Sequence, residues 1–234
     1  MAGKLYLIPT LLGNTLADEV LPASVFKVIN RLHYYIAEDI RSARRFLKKA
    51  GSSVDIDDIE FYELNKHTRD QELPGFLSAT LSGHDTGLLS EAGMPCVADP
   101  GSRITSLAHS HDIKVVPLSG PSSIMLALMA SGLNGQSFTF HGYLPVKRHD
   151  RNRAIKRIEQ DSITRQQAQI FMETPYRNMQ MLETLTEVCT PITQLCIACD
   201  ITLESEFILT REIHYWKKNK PEINKRPAIF ILQG

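Results

Sequence analysis

The feature that most narrows the fold of this chain is an alternation. Short apolar, β-branched runs take turns with longer segments of helical period, and Gly, Pro, Asn or Asp stands at most of the joints. Strands are expected near residues 4–9, 34–37, 60–64, 86–90 and 114–118, and helices near 16–31, 41–50, 71–81 and 101–109. A βα repeat of this kind requires a mostly parallel sheet covered by helices on both faces. After residue 118 the pattern continues with a helix near 124–130, a strand near 137–142, a helix near 148–160, a strand near 168–172 and a helix near 177–188. It ends with strands near 194–200, 206–211 and 227–232, and the hairpin between the first two of these implies a mixed sheet. A break near residues 117–121 gives two α/β domains, 1–117 and 118–234, in a chain whose 234 residues exceed one typical domain.

Several classes are excluded by composition. No apolar run approaches the ~18 residues that span a bilayer, and the opening MAGKLYLIPTLLGN has neither a long apolar core nor a small-residue cleavage site. Four cysteines, Cys96, Cys189, Cys196 and Cys199, are too few for a disulfide scaffold and point to a reducing cytoplasm. Cys196 and Cys199 form a Cys-x-x-Cys in an expected strand, where residues three apart face opposite sides and cannot share a metal or form a dithiol. The 26 Lys+Arg balance 26 Asp+Glu, yet residues 1–117 carry 12 against 15 and the remainder 14 against 11. The densest basic stretch, KRHDRNRAIKR at 147–157, is either a phosphate-contacting patch or a solvated helix face.

In open α/β sheets, ligands bind beyond the carboxyl ends of the strands, so the residues just after each strand carry the information. Here those joints read Pro9–Asn14 as PTLLGN, Ala37–Arg41 as AEDIR, Asn65-Lys66, then SEAGMP followed by DPG, and SGPSS. The nucleotide and hydrolase signatures GxGxxG, GxxxxGK[ST], GxSxG and HExxH are missing. What the joints offer is Gly- and Pro-rich turns, which either bring bare main chain up to a ligand or are ordinary tight turns.

Taken in order, GLLSEAGMPCVADPG, VVPLSGPSS, ALMASGL and FHGYLPVK resemble the tetrapyrrole (corrin/porphyrin) methylase superfamily. Within it they are most similar to the branch that 2′-O-methylates a cytidine ribose in small-subunit ribosomal RNA, whose pattern reads SDAGTPxxxDPG, VxPLPGPSA, SGL and GFLPxKxxxR. LYLIPTLLGN, AEDIR and METPYR match that branch's LYxVxTPIGN, AEDTR and YESPHR, so the resemblance runs from Leu5 to about Phe207. Departures are Glu91 for Asp, Met94 and Ile40 for Thr, Leu203 for Lys, and Lys225-Arg226-Pro227 for KGE.

The resemblance implies two α/β domains with an active-site cleft between them, residues 1–117 on the substrate side and 118–234 on the cofactor side. It further implies S-adenosylmethionine as cofactor, no metal, an RNA substrate and a homodimer. Carried over position by position, Gly93, Pro95, Ser119, Gly120, Ser122, Ala130, Ser131 and Leu133 would hold the cofactor, and Gly120→Val is expected to block it. Asn14, Glu38, Asp39 and Arg41 would border the acceptor, with Arg41 on a phosphate and Glu38 or Asp39 orienting or deprotonating a ribose hydroxyl. Asp39 could equally be the N-cap of the following helix, and Asn65 a substrate contact or a turn former. Lys147, Arg148 and Arg151 would contact RNA. Two other activities stay open: methylation of a tetrapyrrole or other small molecule, and a catalytically weak protein that binds S-adenosylmethionine or RNA.

Overall fold

The computed structural model describes residues 2–234 and divides them into two compact units, the first ending at Ser122 and the second Ser123–Gly234. The boundary falls five residues beyond the expected one, because the segment after the fifth strand stays on the first sheet. Leu118 N donates to Leu7 O at 3.0 Å, and Gly120 lies directly on Pro9.

The first unit is built on strands β1 (Lys4–Ile8), β2 (Tyr34–Ala37), β3 (Glu60–Glu63), β4 (Thr86–Leu89) and β5 (Lys114–Pro117), all parallel, in the order β3-β2-β4-β1-β5. Alternation along the strands sends Tyr6, Ile8, Tyr35, Ala37 and Leu89 to one face, where Leu21, Val25, Ile29 and Leu47 cover them. Leu5, Ile36 and Leu88 go to the other, under Leu73, Leu77, Ile104 and Ala108. The covering helices are α1 (Ala17–Val20), α2 (Ala23–Ile29) and α3 (Ile40–Lys49) on the first face, and α4 (Leu73–Phe76), α5 (Ser78–Leu81) and α6 (Gly101–Ser110) elsewhere. Gly87 in the middle of β4 makes this packing possible, since a Cβ there would meet Ile8 and Tyr35 at 2.8 Å. The chain leaves β1 toward one face and its neighbour β4 toward the other, which makes the carboxyl edge between them the topological switch point at which open α/β sheets take their ligands.

Two expected helices are interrupted. The segment 16–31 splits into α1 and α2 because Pro22 has no N–H to continue the ladder and forces Leu21 into extended backbone. The segment 71–81 becomes a 3-10 turn, α4 and α5, with Pro74 at the start of α4 and a break at Leu77.

The second unit holds α7 (Ser123–Ser131), β6 (Phe138–Tyr143), α8 (Arg148–Arg165), β7 (Ala168–Glu173), α9 (Asn178–Val188), β8 (Gln194–Cys199), β9 (Phe207–Glu212), α10 (Ile213–Lys218) and β10 (Ala228–Gln233). Its sheet order is β6-β7-β10-β8-β9, with β6 and β7 parallel and the other pairs antiparallel, so the sheet is mixed. One face packs Phe171, Leu195, Ile197, Cys199, Phe230 and Leu232 against Ile155, Leu182, Leu185 and Trp216. Cys196 sits on the opposite side of β8 from Cys199, so the Cys-x-x-Cys is divided by the sheet, and all four cysteines are free. Helix α8 runs five residues past its expected end and stops at Gln166, which adopts φ +48. The short helix α10 was not expected: six residues are too few to display a period, and it is pinned by the Trp216 indole donating to Leu195 O at 3.0 Å. Among the described residues no helix is long and apolar enough to cross a membrane.

Candidate active site

The loops that leave β1, β4 and β5 interlock at the carboxyl edge of the first sheet. Thr10 N donates to Gly93 O at 2.9 Å, and the Ser90 hydroxyl donates to the same carbonyl at 3.1 Å. Gly93 has φ +74, a conformation that suits glycine, and a Cβ on it would lie 3.1 Å from Leu12 Cδ2 and 3.3 Å from Pro121 O. A Cβ on Gly120 would lie 2.3 Å from both Cβ and Cγ of Pro9. The structure therefore brings Gly93 and the 119–121 turn together around Pro9–Leu12, with Pro95 buried behind them and Ser119 exposed. The steric reading of Gly120→Val changes accordingly: the added carbon strikes Pro9 first, so that variant reports on loop packing.

Beyond Pro95 the backbone is held in an unusual shape. Cys96 and Ala98 both have positive φ, at 69 and 62, which costs on the order of 1 kcal/mol each for residues other than glycine. Asp99 holds them by accepting from Cys96 N and Gly101 N, both at 2.8 Å, which closes the turn and begins α6. Asp99 stands in the DPG joint of the sequence, but its bond to Cys96 N, three residues back across a turn, carries no sequence signal of its own.

Electrostatics separates the two acidic residues at the end of β2. Glu38 is half-buried, and burial first, then the nearby charges of Glu91 and Asp99, raise its carboxyl above the usual range. Asp39 accepts from Ser42 N at 2.6 Å and is the N-cap of α3, and that backbone N–H is the main reason its carboxyl is held low. The shift of Glu38 is in the direction that suits a general base, whereas one oxygen of Asp39 is engaged in capping the helix.

The remaining candidates are placed as follows. Arg41 is exposed in the first turn of α3. The Asn14 side chain accepts from Lys49 Nζ at 2.6 Å, at the last residue of α3. Asn65 is a turn former: its Oδ1 accepts from His67 N at 2.8 Å and its N–H donates to Thr68 Oγ1 at 3.0 Å. Ala130, Ser131 and Leu133 belong to the second unit, whereas Gly93, Pro95, Ser119, Gly120 and Ser122 belong to the first. Ser131 closes the end of α7: its hydroxyl donates to Leu128 O and accepts from Leu133 N, while its carbonyl accepts from Thr210 Oγ1 at 2.7 Å. Lys147 and Arg148 are exposed, Arg148 beside Glu187 at 2.7 Å.

Arg151 is a correction. Its side chain is 1% exposed, and the guanidinium donates to Thr184 Oγ1, Val146 O and Gln180 Oε1, joining α8 to α9. A buried, spoken-for guanidinium cannot reach a nucleic acid, so Arg151 leaves the set of RNA contacts. The METPYR segment, matched in the sequence without a role, is shaped in a similar way. Glu173, with its side chain fully buried, accepts from Thr174 N at 2.7 Å and from Arg177 at 2.5 Å, which fixes the turn that presents Tyr176 at 77% exposure.

Comparison with known proteins agrees with this architecture. Residues 6–213 match the family model Tetrapyrrole (Corrin/Porphyrin) Methylases. A protein of Escherichia coli O157:H7 named Ribosomal RNA small subunit methyltransferase I is 30% identical over 235 residues, covering 99% of this chain and 78% of that one. A protein of the same name from Vibrio cholerae is 31% identical over 233 residues, covering 98% and 77%. Among solved structures, the methyltransferase CobJ superposes with a TM-score of 0.67 at 14% identity, covering 100% of this chain and 95% of that one. Uroporphyrin-III-C-methyltransferase from Thermus thermophilus gives 0.59 at 17% identity, with 100% and 93% covered. At these identities the superpositions establish the fold.

Proposed function

The chain belongs to the tetrapyrrole (corrin/porphyrin) methylase family, and from that premise we propose that it is an S-adenosylmethionine-dependent methyltransferase acting on RNA, at a ribose 2′-hydroxyl of the small ribosomal subunit. The observation that carries the acceptor is the near full-length likeness to relatives named for small-subunit ribosomal RNA, at 30% and 31% identity. When bound, S-adenosylmethionine supplies an electrophilic methyl group on a cationic sulfonium. The donor set of the first unit fits such a ligand. Glu91 and Asp99 lie close enough to act on Glu38, the three carboxyl groups put negative potential at the carboxyl edge of the first sheet, and Gly93 and Gly120 let the turns there pack directly on Pro9 and Leu12.

Alignment of an acceptor oxygen with a methyl carbon is a positioning task, and interlocked turns that hold their own shape are suited to it. In this reading Gly93, Pro95, Ser119, Gly120 and Ser122 hold the cofactor, and Ala130, Ser131 and Leu133 remain cofactor candidates by the resemblance alone. Glu38 accepts the proton of the ribose hydroxyl, Arg41 engages a phosphate, and Lys147 and Arg148 add further backbone contacts. Asp39 and Asn14 position α3 and the first loop instead of touching the reacting atoms. The protein works as a cytoplasmic homodimer, which light scattering would test.

The decisive experiment incubates the protein, labelled S-adenosylmethionine and purified small ribosomal subunits. Label retained in RNA as a ribonuclease-resistant 2′-O-methyl dinucleotide, and lost in Glu38→Gln, is the expected result. No label in RNA, with label taken up by a porphyrin-like pigment in a parallel incubation, would overturn the acceptor assignment.

A further inference from the structure

Helix α3 carries Arg41, Arg44, Arg45, Lys48 and Lys49, at spacings of three, one, three and one. That is the spacing of a single helical stripe, about 12 Å long at 1.5 Å per residue, and all five residues are exposed. The opposite side is the core, through Ala43, Phe46 and Leu47. No acidic residue interrupts the helix. The first unit, up to Ser122, carries 12 Lys+Arg against 15 Asp+Glu, so an otherwise acidic body puts five of its twelve cations on one helix face. The solvent side of α8, by contrast, mixes its signs, with Asp150 beside Arg153 and Asp161 beside Arg157.

The neighbourhood of the stripe is shaped as well as charged. A groove of about 480 Å³ runs between the Arg44, Arg45 and Lys48 side of α3 and the turn through Val54 and Ile56, with Asp55 on its far wall. Arg44 is braced over the Phe61 ring at 5.5 Å and stands 3.9 Å from Asp57, while Arg45 donates to Ser42 Oγ at 3.1 Å. The stripe begins two residues after Asp39 and three after Glu38, so it leads directly away from the candidate general base.

We propose that this cationic stripe is a docking rail for the RNA backbone, on which Arg44, Arg45 and Lys48 neutralise consecutive phosphates of a single strand that delivers its ribose to Glu38. The proposal rests on the RNA reading above and adds to it the surface that aligns the strand. Arginine's planar fork suits phosphate oxygens, and each neutralised phosphate releases a counterion, so the contact has a salt signature that catalysis alone lacks.

The test is the affinity of the parent and of the double variant Arg45→Gln/Lys48→Gln for a fluorescent single-stranded oligoribonucleotide across a salt series. Calorimetric binding of S-adenosylmethionine serves as the check that the first unit is intact. A matched variant, Lys217→Gln/Lys218→Gln at two exposed lysines of α10, removes the same charge elsewhere. The α3 variant is expected to keep its cofactor affinity, to lose RNA affinity roughly 10- to 30-fold at about 0.1 M salt, and to show a log–log salt slope shallower by about 1.4. The α10 variant is expected to retain the parental slope. Equal losses in both variants would show a net-charge effect and overturn the rail, as would an α3 variant that binds RNA like the parent. Binding of phosphatidylserine vesicles, lost in the α3 variant while RNA binding is unchanged, would reassign the stripe to a membrane surface and overturn it too. A parent that binds no RNA under any salt condition would overturn the RNA reading and the rail together, a result distinct from failure of the rail alone.

Discussion

Glu38 and Asp39 are adjacent acids with opposite thermodynamics. The folded state holds Glu38 partly out of water beside Glu91 and Asp99, so it binds that proton more tightly than the unfolded chain does. Its effect on stability is therefore unfavourable above the raised folded value and vanishes below the ordinary carboxylate range, near 4.5. Glu38→Gln is expected to be more stable than the parent at pH 7, with the difference closing below about pH 4, while methyl transfer is lost. For Asp39 the sign reverses, because the Ser42 N–H stabilises the charged form. Asp39→Ala is expected to cost about 1 kcal/mol at neutral pH, shrinking as acid protonates the parent's own cap, and Asp39→Asn much less. Urea denaturation across the pH range reads both residues. Gly120→Ala belongs here too: its Cβ would meet Pro9 at 2.3 Å, and a proline ring, tied to its own backbone, has no rotamer that clears the way. A loss of roughly 1–3 kcal/mol in chemical denaturation is expected, with any fall in cofactor affinity following from it.

Helices α3 and α8 show how one residue type serves different ends. Both carry several arginines, but α8 turns Arg151 inward to bridge to Thr184 and Gln180 of α9, while α3 turns all of its cations outward. Arg151→Met is expected to lower stability by roughly 2–3 kcal/mol, since it leaves a buried hydroxyl and a carbonyl without their donor, and to leave the RNA salt slope unchanged. Lys147→Gln should do the opposite, with a melting curve like the parent's and a slope shallower by about 0.7. A single pair of experiments, denaturation and salt-dependent binding, thus separates the packing cations from the contact cations.

Across the molecule, each unit has its own sheet and its own core, so unfolding need not be a single transition. S-adenosylmethionine at a hundredfold excess over its Kd should stabilise the native state by about 2.7 kcal/mol, read as an upward shift of the thermal transition. A scan that shows no shift, together with flat calorimetry, would mean that the chain has lost its cofactor.

The strands, most helices and the place of the ligand-bearing turns were legible in the sequence because their signals are local. Short apolar, β-branched runs marked β1 to β5, helical spacing marked α3, α6 and α9, and Gly or Pro marked the turns at residues 93–95 and 119–121. Pro22 was equally visible, and a strict reading of it would have broken the helix at 16–31. Other features were hidden because they depend on partners distant in sequence. Arg151 looks like any basic residue until Thr184, 33 positions away, takes its guanidinium. The sequence offered Asp39 as a helix cap and both acids as acceptor-side candidates, and the choice was made only when Ser42 turned back on Asp39 and the β4 loop brought Glu91 and Asp99 near Glu38. Periodicity is a property of neighbouring residues and is written into the chain. Burial, and the charge that a buried group can bear, are set by what the fold places beside it.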